Sequence, residues 1–140
     1  MTEICGDKVT RMGLKTFMKK DKDSSMNSAP LIQFVPKKSD KSDILNDYQI
    51  SNILQHFPPM IRPKDWDLVF SINRDGVSVG TFYERCRDFS KTLLVVQDTH
   101  GWVFGGFCNE TWKASTKFYG TGENFLFKFK DGNKAIVYNW

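Results

Sequence analysis

From Phe125 to Lys130 the chain sets Phe125, Phe127 and Phe129 in alternation with Leu126, Lys128 and Lys130. A period of two puts one residue set on each face of an extended segment, so this is a strand pattern and not a helical one. Three phenylalanines on one face need a broad apolar layer to cover them. The segment therefore commits the chain to a sheet packed against a second layer. Asp131-Gly132-Asn133 then reads as a turn, and Lys134 to Trp140 as a further strand. Upstream, the apolar run Leu93–Gln97 is joined to Trp102–Cys108 through Asp98-Thr99-His100-Gly101, a hairpin signal. Gly105-Gly106 inside that strand predicts a bulge or a close backbone approach. Trp66, Leu68, Phe70 and Ile72 alternate in the same way, which predicts a strand with one apolar face before a turn at Arg74-Asp75-Gly76.

Two segments carry the other period. Ile50, Ile53, Leu54 and Phe57 recur at i, i+3, i+4 and i+7, predicting a helix from Asp47 to His56. Asn46 with Gln49 three residues on forms a capping-box variant, Leu45 is placed to staple to Ile50, and Pro58-Pro59 stops the helix. A second helix is predicted from Val79 to Phe89, capped by Ser78, with Val79, Phe82, Tyr83, Cys86 and Phe89 as its stripe. Gly80 inside it weakens the helix by about 1 kcal/mol, and close packing is one reason to keep it. Two helices against antiparallel strands make an α+β layered domain.

Charge divides the chain differently. Residues 1–41 hold nine Lys/Arg against five Asp/Glu, and residues 42–140 hold eleven of each, so the whole net charge of +4 lies in the first part. We read 1–41 as a basic, mostly disordered tail and 42–140 as the folded domain. Within the tail, Val9, Met12, Leu14, Phe17 and Met18 stand among Lys8, Arg11, Lys15, Lys19 and Lys20. That pattern fits a basic amphipathic helix in weak contact with a membrane surface, or a solvated tail with scattered apolar residues. Leu31 to Val35 would be an extended segment at the domain edge. A neutral domain argues against nucleic-acid binding, which needs a basic patch on the folded surface. Cys5, Cys86 and Cys108 are odd in number and widely spaced, so the expectation is reduced thiols in the cytosol or nucleus and no disulfide framework.

The chemistry-bearing residues are few. Residues 109–122 form a long loop ending in Gly120-Thr121-Gly122-Glu123. One reading is a contact loop with Glu123 as general base, partnered by Cys86 or His100 in a hydrolytic or redox enzyme. The other is a turn in which Gly120 and Gly122 take positive φ and Glu123 bonds backbone amides. A phosphate cradle would lead into a helix N-terminus with a lysine, whereas this one leads into a phenylalanine strand. Cys86 flanked by Arg85 and Arg87 is either a small buried hydrophobe or a reactive thiol. His56 and His100 lie far apart and form no His/Cys/carboxylate cluster, so neither a metal nor a cofactor is expected. Trp112 is either an exposed interface anchor or a plug in the core, with Lys113 and Lys117 as rim charges. Phe118 and Tyr119 read as core or rim packing.

Several of these stretches, in this order, resemble the TLDc domain family. His56-Phe57-Pro58-Pro59 followed by Trp66 to Ser71 is similar to the family's opening, and Asp75 to Ser78 with Thr81-Phe82-Tyr83 to its second helix. The most specific part runs from Leu93 to Asp98, through Val103-Phe104-Gly105-Gly106-Phe107, to Phe118-Tyr119-Gly120-Thr121-Gly122-Glu123-Asn124-Phe125-Leu126. The resemblance covers roughly 43–140. It implies antiparallel, sandwich-like sheets with two flanking helices, and further strands that the family carries beyond the point matching Trp140. On that basis 42–140 is expected to be the N-terminal part of such a domain, with an unpaired sheet edge. The resemblance also implies a role in oxidative-stress resistance, and since the residues offer no catalytic constellation, a non-catalytic protein-interaction domain is expected. The expected partner is the vacuolar proton-pumping ATPase, met in the cytoplasm at the cytosolic face of endomembranes. Trp112, Lys113, Lys117 and Gly120 to Glu123 are the partner-binding candidates.

Overall fold

The computed structural model describes residues 2–6, 34–130 and 133–139. Six strands, β1 (Thr2–Gly6), β2 (Asp67–Ser71), β3 (Thr92–Gln97), β4 (Val103–Cys108), β5 (Phe125–Lys130) and β6 (Lys134–Asn139), form one antiparallel sheet in the order β2-β1-β3-β4-β5-β6. Helices α1 (Asp47–Leu54), α2 (Ile72–Asp75) and α3 (Val79–Cys86) complete it. The α+β class and the antiparallel pairing are as the sequence predicts.

Cross-strand register assigns the faces. Leu93 and Val95 on β3, Phe107 on β4 and Phe125, Phe127 and Phe129 on β5 share one face, and all are buried with Ile50, Ile53, Leu54 and Phe57. The capping box at α1 is complete: the Gln49 amide donates to Asn46 Oδ1 at 2.9 Å, and the Asn46 amide to Gln49 Oε1 at 3.1 Å. Just past the helix, Phe57 gathers the core. Its ring stacks on Trp66 at 5.6 Å and lies 4.7 Å from Phe107 and 5.8 Å from Phe125.

Among the described residues, the opposite face is covered over β2 and β3. There Val69, Phe70 and Cys86 are buried, with Phe82, Phe89, Leu94 and Trp112 packed on them. Farther along the same face, Phe104 on β4, Leu126 on β5 and Tyr138 on β6 stay exposed.

Three features differ from the sequence reading, and a fourth decides between two readings it left open. First, Thr2–Gly6 is not tail but the strand between β2 and β3. Its partners lie more than sixty residues away, so no local pattern marks it. Lys37 to Ser39 also join the fold: the Trp66 amide donates to the Lys37 carbonyl at 2.8 Å and the Ser39 amide to the Trp66 carbonyl at 2.9 Å. Val35 packs on the core beside them. Residues 9–18 and 31–33, with their amphipathic and edge-strand readings, lie outside the described residues.

Second, the expected single apolar face of β2 is split. Ile4 pairs with Phe70 but Cys5 with Leu68, so Val69 is an extra residue, a bulge that moves Phe70 to the face opposite Leu68. Trp66 accordingly joins the α1 core, whereas Val69 and Phe70 join α3. Arg74 serves the carbonyls at this irregularity, donating to Leu68 O at 3.2 Å and Val69 O at 2.9 Å. Third, Gly80 meets no neighbouring element, so close packing is not its reason, and Val79 is exposed. Fourth, Gly105-Gly106 holds no bulge. A Cβ on Gly105 would lie 1.9 Å from the Leu94 carbonyl oxygen, so the glycine marks a close backbone approach.

Two predictions follow from this packing. Phe57→Ala removes the ring shared by α1, β2, β4 and β5 and should cost about 3–5 kcal/mol in denaturant unfolding. An exposed change such as Met60→Ala should stay within about 0.5 kcal/mol. The second concerns Asp75, whose carboxylate is 4% exposed, accepts from the Ser71 amide at 3.0 Å, pairs with Arg74 at 2.8 Å and has Arg85 at 3.5 Å. The hydrogen bond from Arg74 holds its pKa below the usual carboxylate range. A lowered folded pKa contributes stability above the unfolded value of about 4, lost as pH falls through the folded one. Asp75→Asn should flatten this acid limb in pH-dependent unfolding; an unchanged limb would show that Asp75 does not couple to folding.

Candidate functional site

The loop joining β4 to β5, residues 109–124, is the long irregular segment the sequence singles out, and it is built rather than slack. Its two ends are tied across: the Asn109 amide donates to Asn124 Oδ1 at 2.8 Å, and Asn109 Nδ2 donates to Thr121 Oγ1 at 3.2 Å and to the Glu123 carboxylate. Gly120 has φ +118, and a Cβ there would lie 2.3 Å from Asn124 Nδ2, so both conformation and space require glycine. Gly122 needs neither, and Glu123 bonds the Asn109 side chain; the reading with two positive-φ glycines and Glu123 on backbone amides holds only at Gly120.

Trp112 roots the loop. Its indole Nε1 donates to Thr92 Oγ1 at 2.8 Å, and its ring meets Phe82 of α3 edge-on at 5.3 Å. The ring is half-buried, packed on the cluster over β3, as the packing reading of Trp112 expects. Lys113 stays exposed but leans over the loop. Its ammonium lies 4.8 Å from the centre of the Tyr119 ring and 3.8 Å from Glu110. Tyr119 closes the loop on itself, its hydroxyl accepting from the Lys113 amide at 3.2 Å and donating to the Lys113 carbonyl at 3.0 Å. Ser115 Oγ accepts from the Lys117 amide at 3.0 Å and donates to the Lys117 carbonyl at 2.8 Å. At the tip, Phe118 is 96% exposed. Of the two packing readings for Phe118, core and rim, this exposure excludes the core.

The enzyme residues are not brought together. Cys86 is fully buried under the α3 face, and burial pushes its thiol up to about 11. Cys108, half-buried, is also pushed up to about 11 by burial. A protonated buried thiol is a poor nucleophile. His100 sits exposed on the β3–β4 turn, where Asp98 Oδ1 accepts from its backbone amide at 2.9 Å. Glu123 lies beyond the other end of β4, roughly 15 Å or more away at strand rise. None of the three lines the cavity of about 310 Å³ bounded by Phe34, Ser51, Leu54, Gln55, Arg62 and Pro63. Among the described residues no three His, Cys, Asp or Glu side chains converge, and no helix is long and apolar enough to cross a membrane.

A half-covered antiparallel sheet, with a tied loop of polar and aromatic residues at one end, defines an α+β domain whose distinctive surface is a loop. Residues 38–140 match the TLDc domain, and the chain belongs to that family. It is 38% identical over 97 residues to oxidation resistance protein 1 of Rattus norvegicus, covering 69% of this chain and 12% of the relative. The Homo sapiens protein of the same name is 38% identical over the same length, covering 69% and 11%. Its Neurospora crassa namesake is 38% identical over 68 residues, covering 46% and 18%. The chain thus spans about an eighth or less of the length of the first two relatives.

The root of the loop is testable through Trp112→Phe. The ring is kept, but the Thr92 hydroxyl, 1% exposed as a residue, loses its donor. An unsatisfied buried group should cost about 1–3 kcal/mol in thermal or denaturant unfolding. Unchanged stability would mean the indole bond holds nothing.

Proposed function

We propose that this chain is a non-catalytic protein-interaction domain that serves oxidative-stress resistance by binding and regulating the vacuolar proton-pumping ATPase, in the cytoplasm at the cytosolic face of endomembranes. The name of its relatives supports the stress role, and the family resemblance supports the pump. The observation that carries the interaction reading is the loop 109–124. Its ends, root and tip are fixed by its own hydrogen bonds while residues 113–123 remain exposed. A preformed exposed loop spends little ordering entropy on docking, which suits recognition of a protein surface. The enzymatic alternative through Glu123 with Cys86 or His100 has no geometry to support it, because the three stand on different parts of the fold.

The test is capture of purified pump subunits by the folded chain and by a variant in which residues 113–118 are replaced by glycine and serine. The parent should capture the pump and the loop variant should lose most of it, with circular dichroism unchanged. Failure of the folded parent to capture any subunit removes the pump assignment. Glu123→Gln should change stability or capture and abolish no turnover; a saturable activity lost on that change would restore the enzyme reading.

A further inference from the structure

We propose that the slot between β2 and β3 is a strand-acceptor site, that Thr2–Gly6 is its exchangeable occupant, and that an extended apolar segment of a protein partner takes the same place. This is a second interaction site and does not depend on the loop 109–124. β1 runs antiparallel to both neighbours, with Glu3 opposite Ser71 and Val95, Ile4 opposite Phe70 and Leu94, and Cys5 opposite Leu68 and Leu93. β2 and β3 therefore run parallel to each other, about 9–10 Å apart, with room for one strand between them. A strand in that position is paired along both edges, which is how a segment of one chain completes the sheet of another.

The walls of the slot are held from outside it. β3 pairs with β4 along its whole length, from Thr92 opposite Cys108 to Gln97 opposite Val103. For β2, Trp66 just before it stacks on Phe57, and the Leu68 amide donates to Ser39 Oγ at 3.0 Å. Arg74 donates to the Leu68 and Val69 carbonyls, and the Ser71 amide donates to the Asp75 carboxylate. Val69 and Phe70 also share a cluster with Leu94 of β3 and Cys86 of α3. These contacts keep β2 beside β3 without β1, so its withdrawal leaves two unpaired edges facing one another.

The occupant is attached but poorly matched. Residues 7–33 connect Gly6 to Phe34. Such a length, about 27 residues, spans at most about 90 Å, so covalent reach does not confine β1 to the slot. The register shows which strand fits better. The position of Glu3 lies opposite Val95, 0% exposed, and Ser71, 2% exposed. A position between two buried residues favours an uncharged residue, since bringing a carboxylate there costs desolvation. Gly6 adds little preference for a strand. A partner segment with apolar, β-branched residues at these positions displaces Thr2–Gly6, although an attached strand competes at raised effective concentration.

The experiment is fluorescence anisotropy of a labelled synthetic peptide, residues 1–8 carrying Glu3→Val, titrated with the full chain. Three chains are compared, each checked for folding by circular dichroism. They are the parent, Ile4→Pro, which bars β1 from a central strand, and Thr2→Cys with Val96→Cys, whose paired positions allow a disulfide that locks β1 in place. The peptide should bind the reduced double variant and lose at least tenfold in affinity on oxidation. It should bind Ile4→Pro at least tenfold more tightly than the parent. A peptide of the native sequence should bind at least fivefold more weakly than the Glu3→Val peptide. Binding that oxidation leaves unchanged, or that no folded chain shows, overturns the acceptor site. Binding by Ile4→Pro alone overturns the exchange, because β1 then holds the slot permanently. Should Ile4→Pro not fold, the oxidised and reduced forms decide. Equal affinity for the two peptides overturns the partner chemistry. A dimer of the parent in light scattering that Ile4→Pro abolishes assigns the slot to a second copy and overturns the partner segment.

Discussion

The ring of Phe57 is the point on which the layers of this domain depend. It lies where α1 ends and the chain turns toward β2, and it touches Trp66, Phe107 and Phe125, which come from just before β2, from β4 and from β5. Pro58 keeps the helix from carrying the ring past the sheet. One face of the sheet is closed by this cluster and by the α1 stripe. On the other face α3 covers β2 and β3, and Trp112 fills the remaining gap over Thr92. The loop leaves the sheet from a packed root, and its exposed tip inherits the rigidity of the core beneath it.

Legibility in the sequence follows the range of the interactions. The β5 alternation of Phe125, Phe127 and Phe129 appears as strict burial and exposure along the strand. The Asn46–Gln49 capping box and the Ser78 cap were also readable, because each is decided within a few residues. What depended on distant partners was not readable. β1 is a strand because β2 and β3 flank it, and the bulge at Val69 exists only relative to that pairing. The split of the β2 side chains between two faces is a consequence of that bulge, invisible to any alternation count. The Gly105 close approach was anticipated in kind, but the choice between approach and bulge needed Leu94 opposite it.

The loop is legible in the sequence as a loop, whereas the contacts of its side chains are not. Glycine, threonine and serine content marked 109–122 as a long loop, and the motif ending in Glu123 drew attention to its base. The division of labour among its aromatics could not be read, because Trp112, Phe118 and Tyr119 offer the same hydrophobic signal to a sequence. Three separate geometries decide it: an indole bond to Thr92, a hydroxyl clasp on Lys113 and a ring left in water. Cys86 was placed on an apolar stripe by its spacing, and its complete burial with a thiol pushed up to about 11 agrees with the hydrophobe reading. Glu123 spends its carboxylate on Asn109 at the loop's base.

The central claim is that the loop is preformed before any partner arrives, and amide hydrogen exchange on the isolated chain tests it most directly. The amides of Asn109, Lys113 and Lys117 donate to Asn124, Tyr119 and Ser115. They should exchange at least about tenfold more slowly than unstructured amides of the same sequence, whereas loop amides without such acceptors exchange faster. Tyr119→Phe should release the Lys113 amide while leaving that of Asn109 protected. Exchange of all three at unstructured rates in the folded parent would contradict the account, because the loop would then be ordered only by its partner.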